Sequence, residues 1–329
     1  METLELVRLN LFSPMVLAFG LGIVATLIRS DLRLPDAIYS ALSIYLLLAI
    51  GLKGGVALAG TPLTQLALPA AATLLAGVLI PLGTFPVARR IGGWGVEDAA
   101  ALAAHYGSVS VVTFVAAQAF LDRAGVPYEG FLPTLVALLE VPAILVGLLI
   151  ARRARNQDVG TRQVGWGATL REVLAGRSIV LLVGGLIIGA AAGEPGMARV
   201  EAFFVTPFEG ALTIFLLEMG LVTARRFGDL RHSGVFLLGF GTIAPLVHGT
   251  LGVGLGLLAG LSPGGATVFA TLLASASYIA ATAAVRLALP EANPGRYLTA
   301  SLAVTFPFNL VIGIPTYALL ARMWSGGGA

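Results

Sequence analysis

The residues best placed to do chemistry are serines set in apolar sequence. Gly107-Ser108-Val109-Ser110 lies inside the apolar stretch from Ala104 to Phe114. Ala274-Ser275-Ala276-Ser277 lies inside a second such stretch, each serine 167 positions after its counterpart. Irregular backbone at membrane depth is tolerated only around a cavity. Two helices that break at these points and meet would offer unpaired N–H groups and positive dipole ends. The hydroxyls would add short, neutral donors, and the whole would suit a small oxyanion. Ser-rich helices also simply pack closely. Recurrence at a constant offset favours one shared site.

Glu140 stands two residues before Pro142 in an otherwise apolar segment. An ionisable group at such depth costs on the order of 3 kcal/mol and marks function by default. The equivalent downstream position falls near Thr305, before Pro307, with Asn309 close by. Carboxylate, hydroxyl and amide oxygens suit a hard monovalent cation such as Na+. Glu140 could instead carry a proton or pair with Arg286, and Glu218 could pair with Lys53. His105 and His248 stand without a partner at metal-ligand spacing and read as hydrogen-bonded structural histidines. Glu97 and Asp98 fit a helix N-terminus, where acids are favoured.

These residues need membrane helices to hold them. Of 329 residues 57% are hydrophobic and 11% charged, with a mean hydropathy of +0.92. A soluble domain carries roughly 25% charged residues. Apolar runs of about 20 residues recur, the length of a spanning helix, and the alternation of a membrane barrel is missing. The reading is an all-α polytopic membrane protein with ten spans. They fall near 13–29, 37–59, 66–87, 96–121, 131–151, 178–192, 207–224, 235–261, 265–287 and 297–323, the second interrupted by Gly51-Leu52-Lys53-Gly54-Gly55. With no cysteine, disulfide and thiolate chemistry drop out. No P-loop, nucleophile elbow or HExxH motif occurs, so neither an ATP-driven pump nor an enzyme is expected. The N-terminus METLELVRLN lacks the basic region of a cleavable signal peptide.

The halves repeat. Ala41 to Leu47 matches Ala211 to Leu217, Ile50-Gly51-Leu52 matches Met219-Gly220-Leu221, and Pro142 to Gly147 matches Pro307 to Gly313. Five spans per unit make the second unit enter the membrane upside down, the inverted-repeat plan of secondary transporters. The expected division is residues 1–152, a cytoplasmic linker 153–177, and residues 178–329. Assigned to the nearer side, 15 of the 20 basic residues fall on the side of the central linker. The positive-inside rule then places both termini outside.

HYGSVSVVTF (His105 to Phe114), the stretch Ile243 to Gly256, and the segment Ala274 to Ala303 with its Leu-Pro-Glu-Ala-Asn-Pro run resemble the sodium-dependent bicarbonate transporter superfamily. Its best-known members are cyanobacterial permeases. The resemblance implies ten spans in two inverted five-helix repeats, separate core and gate domains, and trimers. It also implies Na+-coupled bicarbonate uptake across the bacterial inner membrane. A PII-like regulatory protein docks on the cytoplasmic side of such permeases. Three features depart from the cyanobacterial pattern. Ser275-Ala276-Ser277-Tyr278 stands where that pattern has Ser-Ser-Ser-Asp, Ala281-Thr282-Ala283 stands where it carries prolines, and the central linker is short, about 26 residues.

The expectation is a secondary active transporter with Na+ as coupling ion and no organic cofactor. Gly107, Ser108, Ser110, Ser275, Ser277 and Tyr278 would bind the anion. Thr113, Glu140, Thr305 and Asn309 would supply cation ligands. The alternatives are a Na+- or H+-coupled carrier of another small organic anion, and an uncoupled channel or sensor of the same fold.

Overall fold

The computed structural model describes residue 8 and residues 11–155 and 166–326. The described residues form helices and connecting turns, with no β-strand among them. In chain order the helices are α1 Pro14–Leu27, α2 Asp36–Ala59, α3 Leu63–Arg90, α4 Val96–Gly107, α5 Val111–Ala124 and α6 Leu132–Arg155. After the linker come α7 Trp166–Leu174, α8 Arg177–Ala198, α9 Glu201–Phe204, α10 Phe208–Arg225, α11 Phe227–Leu258, α12 Pro263–Ala274, α13 Ala280–Ala288 and α14 Pro294–Trp324. The expected linker 153–177 is described only in part, and its helix α7 rests on α13.

Where ten spans were expected, eight helical segments among the described residues are long and apolar enough to cross a membrane. Two of the expected spans are shorter for different reasons. The 14 residues of α1 rise only about 21 Å. The other span breaks where the second serine pair occurs, leaving α12 and α13 as half-length pieces. The first serine pair divides α4 from α5 in the same way.

The glycines 51, 54 and 55 do not interrupt α2, which runs as one helix. They are a packing seam. A Cβ added at Gly55 would lie 2.2 Å from the Leu186 carbonyl oxygen, and one at Gly189 would lie 2.1 Å from that of Leu52. The backbones of α2 and α8 therefore touch, the small-residue contact that stands in for a hydrophobic driving force in lipid. Helices α1 and α10 repeat the device. A Cβ at Gly22 would meet the Leu217 carbonyl at 2.2 Å, and one at Gly220 would meet that of Phe19 at 2.1 Å. On this ground Gly189→Leu should prevent accumulation of folded protein, judged by size-exclusion chromatography. Gly184→Leu, one helix face away with nothing within 4 Å, should be tolerated.

Outside these two pairs, α3, α4 and α6 pack together, as do α11, α12 and α14. Carboxylates fasten the ends of the broken helices. Asp98, in the first turn of α4, accepts from the Asn293 N–H at 2.7 Å and pairs with Arg296 at 2.6 Å. At the other broken helix, Glu129 accepts from the Ser262 N–H at 2.6 Å, and Ser262 caps α12 by accepting from the Gly265 N–H at 3.0 Å. Each loop that follows one broken helix thus grips the start of the other. Three in-helix prolines of α3 (Pro69, Pro81, Pro86) and π-helical turns at Thr299–Thr305 and Asn309–Gly313 loosen the regular ladder nearby, as membrane helices allow where neighbours satisfy the freed groups.

Candidate functional site

The two Ser-x-Ser segments meet. Ser108 and Ser275 are both extended, at φ −91°, ψ 177° and φ −81°, ψ 167°. The Ser110 N–H donates to Ser275 Oγ at 3.0 Å, and the Ser277 N–H donates to the His105 carbonyl at 2.8 Å. Each second serine also serves the half-helix that follows it. Ser110 Oγ accepts from the Thr113 N–H at 3.2 Å, and Ser277 Oγ accepts from the Ala281 N–H at 3.2 Å. Oxygen acceptors satisfy end groups that a helix cannot pair for itself. Two helix starts, α5 and α13, thereby converge on one spot.

A cavity of about 40 Å³ lies beside this crossing. Its polar lining is Ser110, Ser277, Tyr278, Glu140, Ser43 and Ser178, and its apolar lining includes Leu46, Ile50, Leu212 and Phe215. No lysine or arginine lines it. A water needs roughly 10–15 Å³ of such space, so the volume suits an ion or an anion of a few atoms. Glu140 is only 1% exposed, yet its Oε2 has no hydrogen-bond partner, nor does the Ser108 hydroxyl, and the Tyr278 hydroxyl stands near the Ser110 side chain without a well-formed hydrogen bond. A buried polar group left unpaired is costly.

The expected site residues divide. Ser110, Ser277, Tyr278 and Glu140 line the cavity. Ser275 stands behind Ser110 and also donates to the Leu272 carbonyl at 2.8 Å. Gly107 is a close-approach position, since a Cβ there would lie 2.3 Å from Pro81 Cγ. Thr113 is buried and its amide is taken by Ser110. Thr305 Oγ1 lies 2.6 Å from the Tyr106 hydroxyl and donates to the Gly241 carbonyl at 2.7 Å. Asn309 Nδ2 donates to the Ala274 carbonyl at 2.8 Å, and its Oδ1 accepts from Tyr317 at 3.0 Å. Thr305 and Asn309 therefore brace the broken helices and do not line the cavity of Glu140.

Neither expected ion pair is seen. Arg286 is exposed on α13, away from the lining of the Glu140 cavity. Glu218 accepts from the Leu34 N–H at 3.4 Å, while Lys53 lies 5.7 Å from the Phe208 ring centroid. His105 behaves as a structural histidine, with Nδ1 2.7 Å from the Ala101 carbonyl and Nε2 3.2 Å from Thr282 Oγ1. His248 differs, its Nδ1 having no partner beside a cavity between α3 and α11. Ser43 and Ser178 were not singled out in the sequence. Ser43 sits within the repeated segment Ala41 to Leu47, but a serine in a helix gives no sign of what it faces.

The sequence model of the Na+-dependent bicarbonate transporter superfamily matches residues 14–322. The chain belongs to this superfamily. No individually curated protein matches it. Membership in a transporter family, not an enzyme family, implies Na+-dependent bicarbonate transport, and the long apolar helices fit a multi-pass membrane protein. For a member of this superfamily the cavity has a suitable character. Its neutral donors and helix starts favour an oxyanion, while Glu140 brings a carboxylate that a cation can satisfy.

Proposed function

We propose that the chain is a secondary active transporter that couples inward Na+ movement to bicarbonate uptake by alternating access. The observation that carries this reading is the composition of the cavity at the helix crossing. Hydroxyls and helix starts face a buried carboxylate, one oxygen of which has no partner, with no basic side chain among them. An anion beside an ionised Glu140 would be repelled unless a cation came with it, and that charge balance favours co-transport. Ser108, Ser110, Ser275, Ser277 and Tyr278 form or support the anion site, with Gly107 allowing the close approach of α3. Glu140 is the principal cation ligand, and Thr113, Thr305 and Asn309 hold its surroundings in place.

The mirrored packing supports two inverted five-helix repeats, residues 1–152 and 178–329. Helix pair α2–α8 answers to α10–α1, and the bundle α3, α4, α6 answers to α11, α12, α14. We assign the two bundles to a mobile core and the two glycine-seamed pairs to a gate. The charge bias supports an inner-membrane protein with both termini outside. Ser178, beside Arg177 at the start of α8, supports a cavity nearer the basic side that the charge bias assigns to the cytoplasm. By the family resemblance the chain would form trimers and could receive a PII-like regulator, for which the short linker leaves a smaller docking face. Tyr278 in the cavity wall favours one second reading, a Na+- or H+-coupled carrier of another small organic anion.

Proteoliposomes with an inward Na+ gradient should accumulate radiolabelled bicarbonate at fixed pH, and those with an equal K+ gradient should not. Equilibration without accumulation would instead indicate an uncoupled channel or sensor. Uptake of small carboxylates in place of bicarbonate would select the second reading.

A further inference from the structure

Thr84 departs from what the other helical threonines of this chain do. Thr73, Thr242, Thr271 and Thr316 each donate to the carbonyl four residues back, at 2.7 to 3.0 Å, the usual outlet for a hydroxyl within a helix. Thr84 is 3% exposed, yet its Oγ1 has no partner. His248 departs from its counterpart in the same way. His105 sets Nδ1 against the carbonyl four residues back, whereas His248 Nδ1 has no partner. Both side chains line one cleft of about 440 Å³ between α3 and α11. It shares no lining residue with the cavity at the helix crossing.

We infer that this cleft binds a neutral lipid of the quinone class, a flat ring with carbonyl oxygens on an apolar tail. Sites for such molecules are concave and mostly apolar, with a few placed polar groups. Phe236, Phe240, Ile243 and Val247 supply the apolar wall. Gly83 and Gly239 leave room for a ring, since a Cβ added at either would meet nothing within 4 Å. Ile91, Ile243 and Val247 are exposed, so the cleft opens toward the bilayer. Depth selects the head. His248 stands twelve residues beyond Phe236 on α11, a rise of about 18 Å in a hydrocarbon core about 30 Å thick. An ionised headgroup is costly there, and no water is at hand for a head with surplus donors. A carbonyl only accepts, and the Thr84 hydroxyl and a His248 Nδ1–H can both donate to it.

The position gives the ligand a role. Helices α3 and α11 pack chiefly within different bundles, so a molecule held by Thr84 on one and His248 on the other ties the bundles together. The wall also reaches inward. Phe240 meets the Tyr106 ring edge-on at 4.8 Å, and the Tyr106 hydroxyl lies 2.6 Å from Thr305 Oγ1. This site goes beyond the transport reading and does not depend on it.

The test uses purified, delipidated full-length protein in detergent, free of Na+ and bicarbonate. Its thermal midpoint is followed at increasing decylubiquinone, with dodecanol and dodecane in parallel, since a ligand of the folded state raises the midpoint. Decylubiquinone should stabilise the wild type saturably, and the other two should not. Thr84→Val keeps the side chain's shape and should raise the half-saturating concentration about fivefold, the effect of one lost hydrogen bond. Adding His248→Phe should raise it about fivefold again. Gly239→Leu, for which there is room, should fold and lose the response. Without ligand, Thr84→Val should melt no lower than wild type, because the hydroxyl it removes is unpaired. An equal response to dodecane would reduce the cleft to an apolar gap, and an equal response to dodecanol would give it to an alcohol; either overturns the proposal. So would a wild type that ignores decylubiquinone, or a half-saturating concentration that stays fixed in the Thr84 and His248 variants.

Discussion

Glu140→Gln should abolish Na+-driven accumulation of bicarbonate while leaving the protein folded. Glutamine keeps the shape and one oxygen but removes the charge that makes a cation welcome. If the lost electrostatic contact is worth about 3 kcal/mol, the half-saturating Na+ concentration rises on the order of a hundredfold. Bicarbonate binding should fall far less, because the donors proposed for it are the serine hydroxyls and the starts of α5 and α13. Stability should move the other way. In Na+-free buffer the wild type holds a buried carboxylate with an unpartnered oxygen, and replacing it by a neutral amide relieves part of that burden. The expected result is therefore a variant at least as heat-stable as wild type in choline, no longer stabilised by Na+. Uptake, Na+ titration and thermal unfolding on one preparation would check all three. Equal loss of Na+ and bicarbonate responses would remove Glu140 from the cation role.

The helical membrane character was legible because it depends on composition and run length. The paired serines were legible because the chain repeats them. What each serine touches was not legible. That Ser110 finds Ser275 while Ser277 finds the His105 carbonyl follows from a crossing of two segments far apart in sequence. The glycines of α2 show another limit. Glycine serves both a broken helix and a close helix contact, since both need a missing Cβ, and only the position of α8 distinguishes them. Thr305 and Asn309 were drawn toward Glu140 by their repeat-related positions. Positions that correspond in a sequence repeat need not touch, and here Thr305 is engaged with Tyr106 and Gly241, and Asn309 with Ala274 and Tyr317. Ser43 and Ser178 went unnoticed because their place in the cavity wall depends on which helices face them, which no local pattern encodes.

Tyr278→Phe separates binding from stability most cleanly. The Tyr278 hydroxyl lines the cavity near the Ser110 side chain without a well-formed hydrogen bond, while its ring sits 5.9 Å from Phe306 in an edge contact. Phenylalanine keeps the ring contact and removes only the stranded oxygen. If that oxygen did nothing, the change would stabilise the fold by about 1 kcal/mol, the cost of a buried group left unpaired, and leave transport alone. If it donates to the anion, the same substitution should stabilise the ligand-free protein and weaken anion binding about tenfold, with the half-saturating Na+ concentration unchanged. The second outcome is expected, because a group that costs stability in the empty protein and lines the site needs a compensating role in the filled one. Thermal unfolding without ligand, set beside bicarbonate dependence of uptake at saturating Na+, gives both signs at once. A more stable variant with unaltered uptake would remove Tyr278 from the anion site and leave the serine hydroxyls and helix starts as its donors.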